Sequence, residues 1–264
     1  MKIDLNADMG EGFGPWPMGN DEALLDLVSS ANVACGFHAG DPLIMLRTAE
    51  RAKARGVDLG AHVGFPDRQG FGRRVMQIDS SELAAMVTYQ LGALDGIARA
   101  VGYRVTHMSF HGALGNMAAA DAKLAAPLVR AVAAFNPDLL IVSSSSRAIE
   151  DAAAASGIRV AITFLADRAY NDDGLLVSRS EPGAVIHDAA VVAQRVERLL
   201  REGIVVTASG KALAMPAKSI LLHGDTPGAV ELARKIRASI EAAGAEIVPV
   251  SRLVTGTGAA GGRS

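Results

Sequence analysis

Four of the six histidines in this chain stand at or just past the end of an apolar run: His38 in ANVACGFHAGDP, His62 in LGAHVGFPD, His111 in MSFHGALGN and His223 in ILLHGDTP. Acids, amides and an arginine occupy matching places. Asn6, Asp8 and Glu11 lie in LNADMGEG, Asp41 follows His38, Asp67 follows His62, Asn116 follows His111, Asp167 and Arg168 lie in FLADRAY, and Asp225 follows His223. Imidazoles titrate near neutrality and serve as general acids and bases or as neutral metal ligands. Carboxylates take or hold protons and bind hard cations such as Mg²⁺. An arginine and the N–H groups of Gly-rich turns suit a phosphate or an oxyanion. The set is therefore equipped for acid–base chemistry or for holding a cation. The candidates for catalysis are Asp8, His38, His62, His111 and Asp167. Those for ligand binding are Asn6, Glu11, Asp41, Asp67, Asn116, Arg168, His223 and Asp225. Asp8, His38 and His62 are the candidate metal ligands, although no HxxxH or HExxH pair fixes a metal geometry.

Each residue also has a plain structural use. Asp41 caps a helix that starts at Pro42, a lone strand-end histidine is a hydrogen-bonded packing group, the glycines turn the chain, and Glu11 and Asp67 are solvated loop charges. What favours a shared site is that all of these groups fall at one set of strand ends. Those ends must be brought together by the fold. Strand patterns run over Lys2–Ala7, Ala31–Cys35, Asp58–Val63, Arg104–Phe110, Leu139–Ser143, Arg159–Leu165 and Lys218–Leu222. Helical patterns run over Asp21–Ser29, Pro42–Arg55, Ser81–Val101, Ala118–Phe135, Ala148–Ser156, Asp188–Arg201 and Pro227–Ala243, with Gly56, Gly102, Gly157, Gly203 and Gly244 placed as C-caps. Alternating strands and helices imply a parallel sheet with right-handed crossovers. Seven strands with short connections predict a closed, single-domain parallel β/α barrel over residues 1–250, with an open doubly wound sheet as the alternative. In such a barrel the C-terminal strand ends share one face, where active sites lie. Long polar loops interrupt the pattern at 65–79 and 168–187. Residues 204–217 read as a hairpin turning at Ser209-Gly210, and residues 251–264 as a flexible tail.

Composition excludes several classes. The chain has 264 residues, half of them apolar, and a formal charge of −2, so it can bury a sizeable core and nothing points to nucleic acid or an anionic membrane surface. No apolar run approaches the ~20 residues of a membrane helix. A single cysteine, Cys35, rules out an internal disulfide, and the acids of MKIDLNADMGEG stand where a signal peptide needs its apolar core; a cytoplasmic location is expected. There is no GxxxxGK[ST] phosphate loop, no GxGxxG between strand and helix, and no GxSxG elbow. Cys35 reads as packed and inert, and His107 and His187 as structural or exposed.

Taken together, the strand-end motifs carry a resemblance. DLNADMGEGFG at 4–14, SANVACGFHAGDP at 30–42, GAH at 60–62 with FPD at 65–67, HGAL at 111–114 with Asn116, ADRAY at 166–170 and HGD at 223–225 resemble the LamB/YcsF family, the A subunit of bacterial ATP-dependent 5-oxoprolinase. The resemblance implies a seven-stranded barrel of the glycoside hydrolase/deacetylase type. It further implies cleavage of the lactam 5-oxo-L-proline to L-glutamate coupled to ATP hydrolysis, with separate B and C subunits as partners and homo-oligomers as an allowed state. Asp8 and Glu11 would then hold Mg²⁺ or another divalent ion with nucleotide phosphates. The chain departs from the family pattern at Val63, Ser109, Gly115, Thr163, Leu165 and Thr226; Ser109 and Thr163 replace a lysine and a glutamate. Two other readings stand beside this one: a metal-dependent amidase or deacetylase-like hydrolase on the same barrel, and a non-catalytic binding subunit.

Overall fold

The computed structural model describes residues 1–254. In chain order the strands are β1 (Lys2–Met9), β2 (Ser30–Ala34), β3 (Asp58–Val63), β4 (Val105–Phe110), β5 (Leu140–Ser143), β6 (Arg159–Leu165), the short hairpin pair β7 (Ile204–Val206) and β8 (Ala212–Ala214), β9 (Ser219–Leu222) and β10 (Glu246–Ile247). β1 to β6 and β9 pair in parallel, and β9 returns to pair with β1, which closes a seven-stranded barrel and disposes of the open sheet. The helices are α1 (Asp21–Leu25), α2 (Pro42–Arg55), α3 (Ser80–Ala100), α4 (Gly112–Ala120), α5 (Ala122–Phe135), α6 (Arg147–Ser156), α7 (Ala189–Glu202) and α8 (Ala229–Ala242).

Period-two alternation explains the barrel. In β1, Asp4, Asn6 and Asp8 alternate with Leu5, Ala7 and Met9, and all six are buried. The apolar set joins the large core shared with the helices, including Leu24, Met45, Ala49, Leu91 and Ile236. The polar set meets its counterparts from neighbouring strands inside the barrel, in three layers. At the bottom, Asp4 accepts hydrogen bonds from Ser29 (2.7 Å), Ser30 (2.6 Å) and Ser219 (2.6 Å). In the middle, Asn32 Oδ1 accepts from Asn6 (3.3 Å) and from His107 Nε2 (3.0 Å). Gly60 makes this layer possible, because a Cβ there would overlap the His107 ring. The top layer holds Asp8, His62 and Ser109.

Asp4 makes stability depend on pH. Burial pushes its carboxyl up to about 7, with the three hydroxyls working in the other direction. A carboxyl with a raised folded-state pKa binds more protons folded than unfolded, so it favours folding below its unfolded value near 3.8 and that advantage is lost as pH rises towards about 7. Across that window the loss is of order 4 kcal/mol as an upper bound. Asp4→Asn should flatten the fall in melting temperature between pH 4 and 7. An unchanged slope in the variant would assign the titration elsewhere.

Several expected boundaries move. The helix expected over Asp21–Ser29 stops at Leu25. The single helix expected over Ala118–Phe135 is two, because Asp121 leaves the helical conformation and caps α5 by accepting from Lys123 N, while α4 starts at Gly112 directly behind His111. The hairpin over 204–217 is present, with Gly210 at φ +92°. Residues 251–254, assigned to the tail from the sequence, begin with structure: Val250–Arg252 form a 3₁₀ turn under the barrel, with Val250 N donating to Ser30 Oγ and Ser251 N to Asp58 Oδ2. The rest of that tail, 255–264, lies outside the described residues. No helix among the described residues is long and apolar enough to cross a membrane.

Candidate active site

The top layer opens into the loops. Asp8 ends the inward row of β1; its Oδ1 accepts from Asn32 Nδ2 (2.9 Å) and lies 3.6 Å from His62 Nε2. His62 Nδ1 is 2.6 Å from Ser109 Oγ, its neighbour in register on β4, and His62 Nε2 is 2.9 Å from His111 Nδ1. His38 lies on the turn after β2 and stacks on His111, with centroids 3.8 Å apart and planes 4° from parallel. Glu11 Oε1 stands 3.4 Å from His38 Nε2 and 3.7 Å from His111 Nδ1. The 65–79 loop closes over the rings. Phe71, at φ +54°, presents its carbonyl to His111 Nε2 at 2.7 Å and its ring edge-on to His38 and His111. Gly72 beside it is at φ +61°, and a Cβ there would come within 2.8 Å of His38 and 2.9 Å of His111. Since a carbonyl only accepts, His111 Nε2 carries the proton, and the neutral ring turns the lone pair of Nδ1 towards Glu11 and His62.

The electrostatics of this cluster favour a cation. One ligand atom each from Glu11, His38, His62 and His111 lies within 4.8 Å of the others, and all four side chains are buried. Burial, then Arg73, hold His38 down to about 3. Burial, then the neighbouring imidazoles, hold His62 and His111 well below the usual histidine range. The histidines are therefore neutral, the ligand form. Burial pushes Glu11 well up, with Asp8 adding to it. Among the described residues, Glu11 Oε1 and both ring nitrogens of His38 have no hydrogen-bond partner. Lone pairs left without donors in a dry cluster fit a divalent metal, which would invert this pKa balance. The converging set is Glu11, His38, His62 and His111; it contains two of the sequence candidates, His38 and His62, and Glu11, which the family resemblance pairs with Asp8, while Asp8 itself stands beside the set, 3.6 Å from His62 Nε2. Asp8 Oδ1 accepts from Asn32, and His111 joins the set because Phe71 turns its Nδ1 inward.

A cavity of about 510 Å³ adjoins the cluster, lined by Asp8, His62, His111, Arg73, Arg168, Arg179, Asn116, Ser109, Thr163 and His223 among others. At its rim, both oxygens of Asp167 accept from His223 Nδ1 (2.9 and 2.8 Å), so Nδ1 holds a proton and Nε2 is left to accept one. Asp225 accepts from Arg73 Nη2 (2.8 Å). The other expected site residues are engaged elsewhere. Asp41 accepts from Leu43, Ile44 and Gly14 N, so it is a helix cap that also ties the 11–14 turn. Asp67 is bound to Arg74 and Gly70 N and organises its own loop. Neither lines the cavity, and Asn6 lies a layer below, on Asn32. Cys35 is packed, with burial pushing its thiol up to about 12, and His107 belongs to the barrel's middle layer. The sequence reading misses Asn32, Phe71, Arg73 and Arg179. Asn32 has a signal, since it alternates in register with Ser30 on a strand facing Asp8; the others sit in loops without periodicity.

The profile of the LamB/YcsF family matches residues 3–255. The chain is 68% identical over 252 residues to a 5-oxoprolinase A subunit of Ralstonia nicotianae, covering 96% of this chain and 97% of that one. It is 69% identical over 254 residues to a 5-oxoprolinase A subunit of Pseudomonas syringae pv. tomato, covering 96% and 99%. Among solved structures, a lactam utilization protein from Thermus thermophilus superposes with a TM-score of 0.88 at 42% identity, covering 94% of this chain and 99% of that one.

Proposed function

The chain belongs to the LamB/YcsF family, and from that premise we propose that it is the A subunit of an ATP-coupled 5-oxoprolinase. With separate B and C subunits it opens the lactam of 5-oxo-L-proline to L-glutamate while ATP is hydrolysed. The observation that carries this reading is identity near 70%, over nearly the whole chain, to two proteins bearing that subunit name. The cavity suits the reaction. A five-membered lactam is an unstrained, stable amide. Opening it requires water to add at the carbonyl carbon, the ring C–N bond to break and the leaving nitrogen to gain a proton. His223, oriented through Nδ1 by Asp167, can move that proton at Nε2. Asp8 faces the same space, with its carboxylate 3.6 Å from His62 Nε2. Glu11, His38, His62 and His111 would hold a divalent metal, and such an ion polarises a carbonyl or phosphoryl oxygen.

The test combines the purified chain with and without the B and C proteins, ATP and 5-oxoproline, and measures glutamate and phosphate released. The expected result is negligible turnover by the chain alone and ATP-dependent glutamate formation by the full set. Robust turnover by the isolated chain, or glutamate formation indifferent to ATP, would refute the reading. The second outcome would instead favour a metal-dependent amidase working without nucleotide, which the buried Glu/His cluster supports on its own account.

A further inference from the structure

Three guanidinium groups line the cavity: Arg73, Arg168 and Arg179. Two are already engaged. Arg73 bonds Asp225 and lies over the Phe71 ring at 4.7 Å. Arg168 donates from Nε to the Ala184 carbonyl (3.1 Å) and from Nη2 to the Val177 carbonyl (2.6 Å), which fastens the 168–187 loop, while its own carbonyl accepts from Arg195 (2.7 Å). Arg179, carried on that fastened loop, has no hydrogen-bond or ion-pair partner among the described residues. The carboxylates within its electrostatic reach are Asp225, Asp167 and Asp8, and each is already bonded: to Arg73, to His223 and to Asn32. The cations meanwhile crowd one another. Burial and the proximity of Arg179 bring Arg168 down to about 10, and burial and Arg73 lower Arg179 in turn. Hydroxyl and amide donors from Ser109, Ser143, Ser144 and Asn116 share the wall.

We infer that Arg179 is the centre of an oxyanion subsite in this cavity, receiving the carboxylate of the small ring substrate through its planar N–H pair. The inference rests on the 5-oxoprolinase reading for the source of the oxyanion but not for its chemistry. A lactam ring is neutral, so the carboxylate is the one charge by which 5-oxoproline can be told from a simple cyclic amide. A guanidinium in a partly dry wall recognises it bidentately. A phosphoryl group offers the same chemistry, and the experiment separates the two.

Calorimetric titration of the full chain would use 5-oxo-L-proline, 2-pyrrolidinone (the same ring without the carboxylate) and inorganic phosphate. The proteins would be wild type, Arg179→Met and Arg179→Lys. Wild type should bind 5-oxoproline about 10- to 100-fold more tightly than pyrrolidinone, the range of one charge-assisted hydrogen-bonded pair. Arg179→Met should lose that preference and leave pyrrolidinone unchanged; Arg179→Lys should recover part of it. The ligand-free methionine variant should melt close to wild type, since Arg179 has no hydrogen-bond or ion-pair partner to lose among the described residues. If phosphate rather than 5-oxoproline shows the Arg179 dependence, the subsite stands as a phosphoryl site and the lactam carboxylate is ruled out as its ligand. If Arg179→Met binds every anion as wild type does, or wild type binds none, the subsite is overturned. Glutamate formation by the assembled subunits would in that case leave the functional reading intact.

Discussion

If the proposed function holds, His111→Ala should lose 5-oxoproline turnover by about 10³-fold or more, assayed with the B and C proteins, while remaining folded. The imidazole makes three contacts that no alanine replaces: Nε2–H to the Phe71 carbonyl, Nδ1 to His62, and a stacked face on His38. Its removal deprives the cluster of an inward lone pair and unpins both neighbours, and losses of this size are usual when an acid–base or ligand group is removed. The structural cost is smaller, about 1–3 kcal/mol for a buried carbonyl left without its donor. A domain of ordinary stability survives that. Circular dichroism with a melting curve, beside the coupled assay, checks both halves. Near-wild-type turnover would remove His111 from the chemistry, and a chain that does not fold would make it a packing residue.

Glu11→Gln should move stability and metal affinity in opposite directions. In metal-free protein the Glu11 carboxyl is buried, close to Asp8, and one of its oxygens has no donor among the described residues. Its raised pKa means that folding takes up a proton above the unfolded value near 4.5, so at pH 8 the carboxyl opposes folding. Glutamine keeps the shape and removes the titration. The metal-free variant should therefore melt higher at pH 8, by about 2–4 °C for each kcal/mol relieved. With a divalent metal the order reverses, because the one anionic ligand of the group is gone. Affinity should fall by at least about 100-fold, since even residues behind the ligands cost 10- to 100-fold. Melting curves with and without EDTA, together with metal titration, decide it. A variant that is less stable in EDTA and unaltered in metal affinity would show Glu11 to be an ordinary packing acid.

The barrel is legible because its strands repeat one local rule. The apolar residues of β1, β2 and β3 alternate with polar ones, β6 has the bounds read from the sequence, and β4 and β9 each start one residue later than expected. Site residues at strand ends are legible for the same reason: the fold collects those ends whatever the details of the loops. What cannot be read lies in the loops. The sequence offers Asp8 and Glu11 together as partners of a divalent ion, and only the folded loop shows that it is Glu11 Oε1 that stands within 3.7 Å of His38 and His111. Phe71 acts through a backbone carbonyl held at positive φ, a conformation a phenylalanine does not advertise in sequence. Arg179 matters because it lacks a partner, and a missing partner has no sequence signal. Gly115 stands where the family motif has tyrosine; a Cβ at this position would come within 2.6 Å of the Phe110 carbonyl, so the change goes with a local backbone fitted to glycine.

The three polar layers inside the barrel separate what holds this protein together from what it does. Hydrophobic burial, the dominant stabilising force, is gathered between the outward faces of the strands and the helices. The inward faces contribute hydrogen bonds, beside a small apolar cluster of Leu140, Val142, Ala161 and Val250, and the net worth of each such bond is small where the partners match. Mutational drift could therefore run through the interior column without eroding the scaffold, and Ser109 and Thr163, both buried and hydroxyl-bearing where the family resemblance implies a lysine and a glutamate, are where it would show. An inherited barrel of this kind is a socket whose fittings can be changed one layer at a time. Selection for a new substrate would find its variation in the top layer and in the 65–79 and 168–187 loops, with the outer hydrophobic layer left intact.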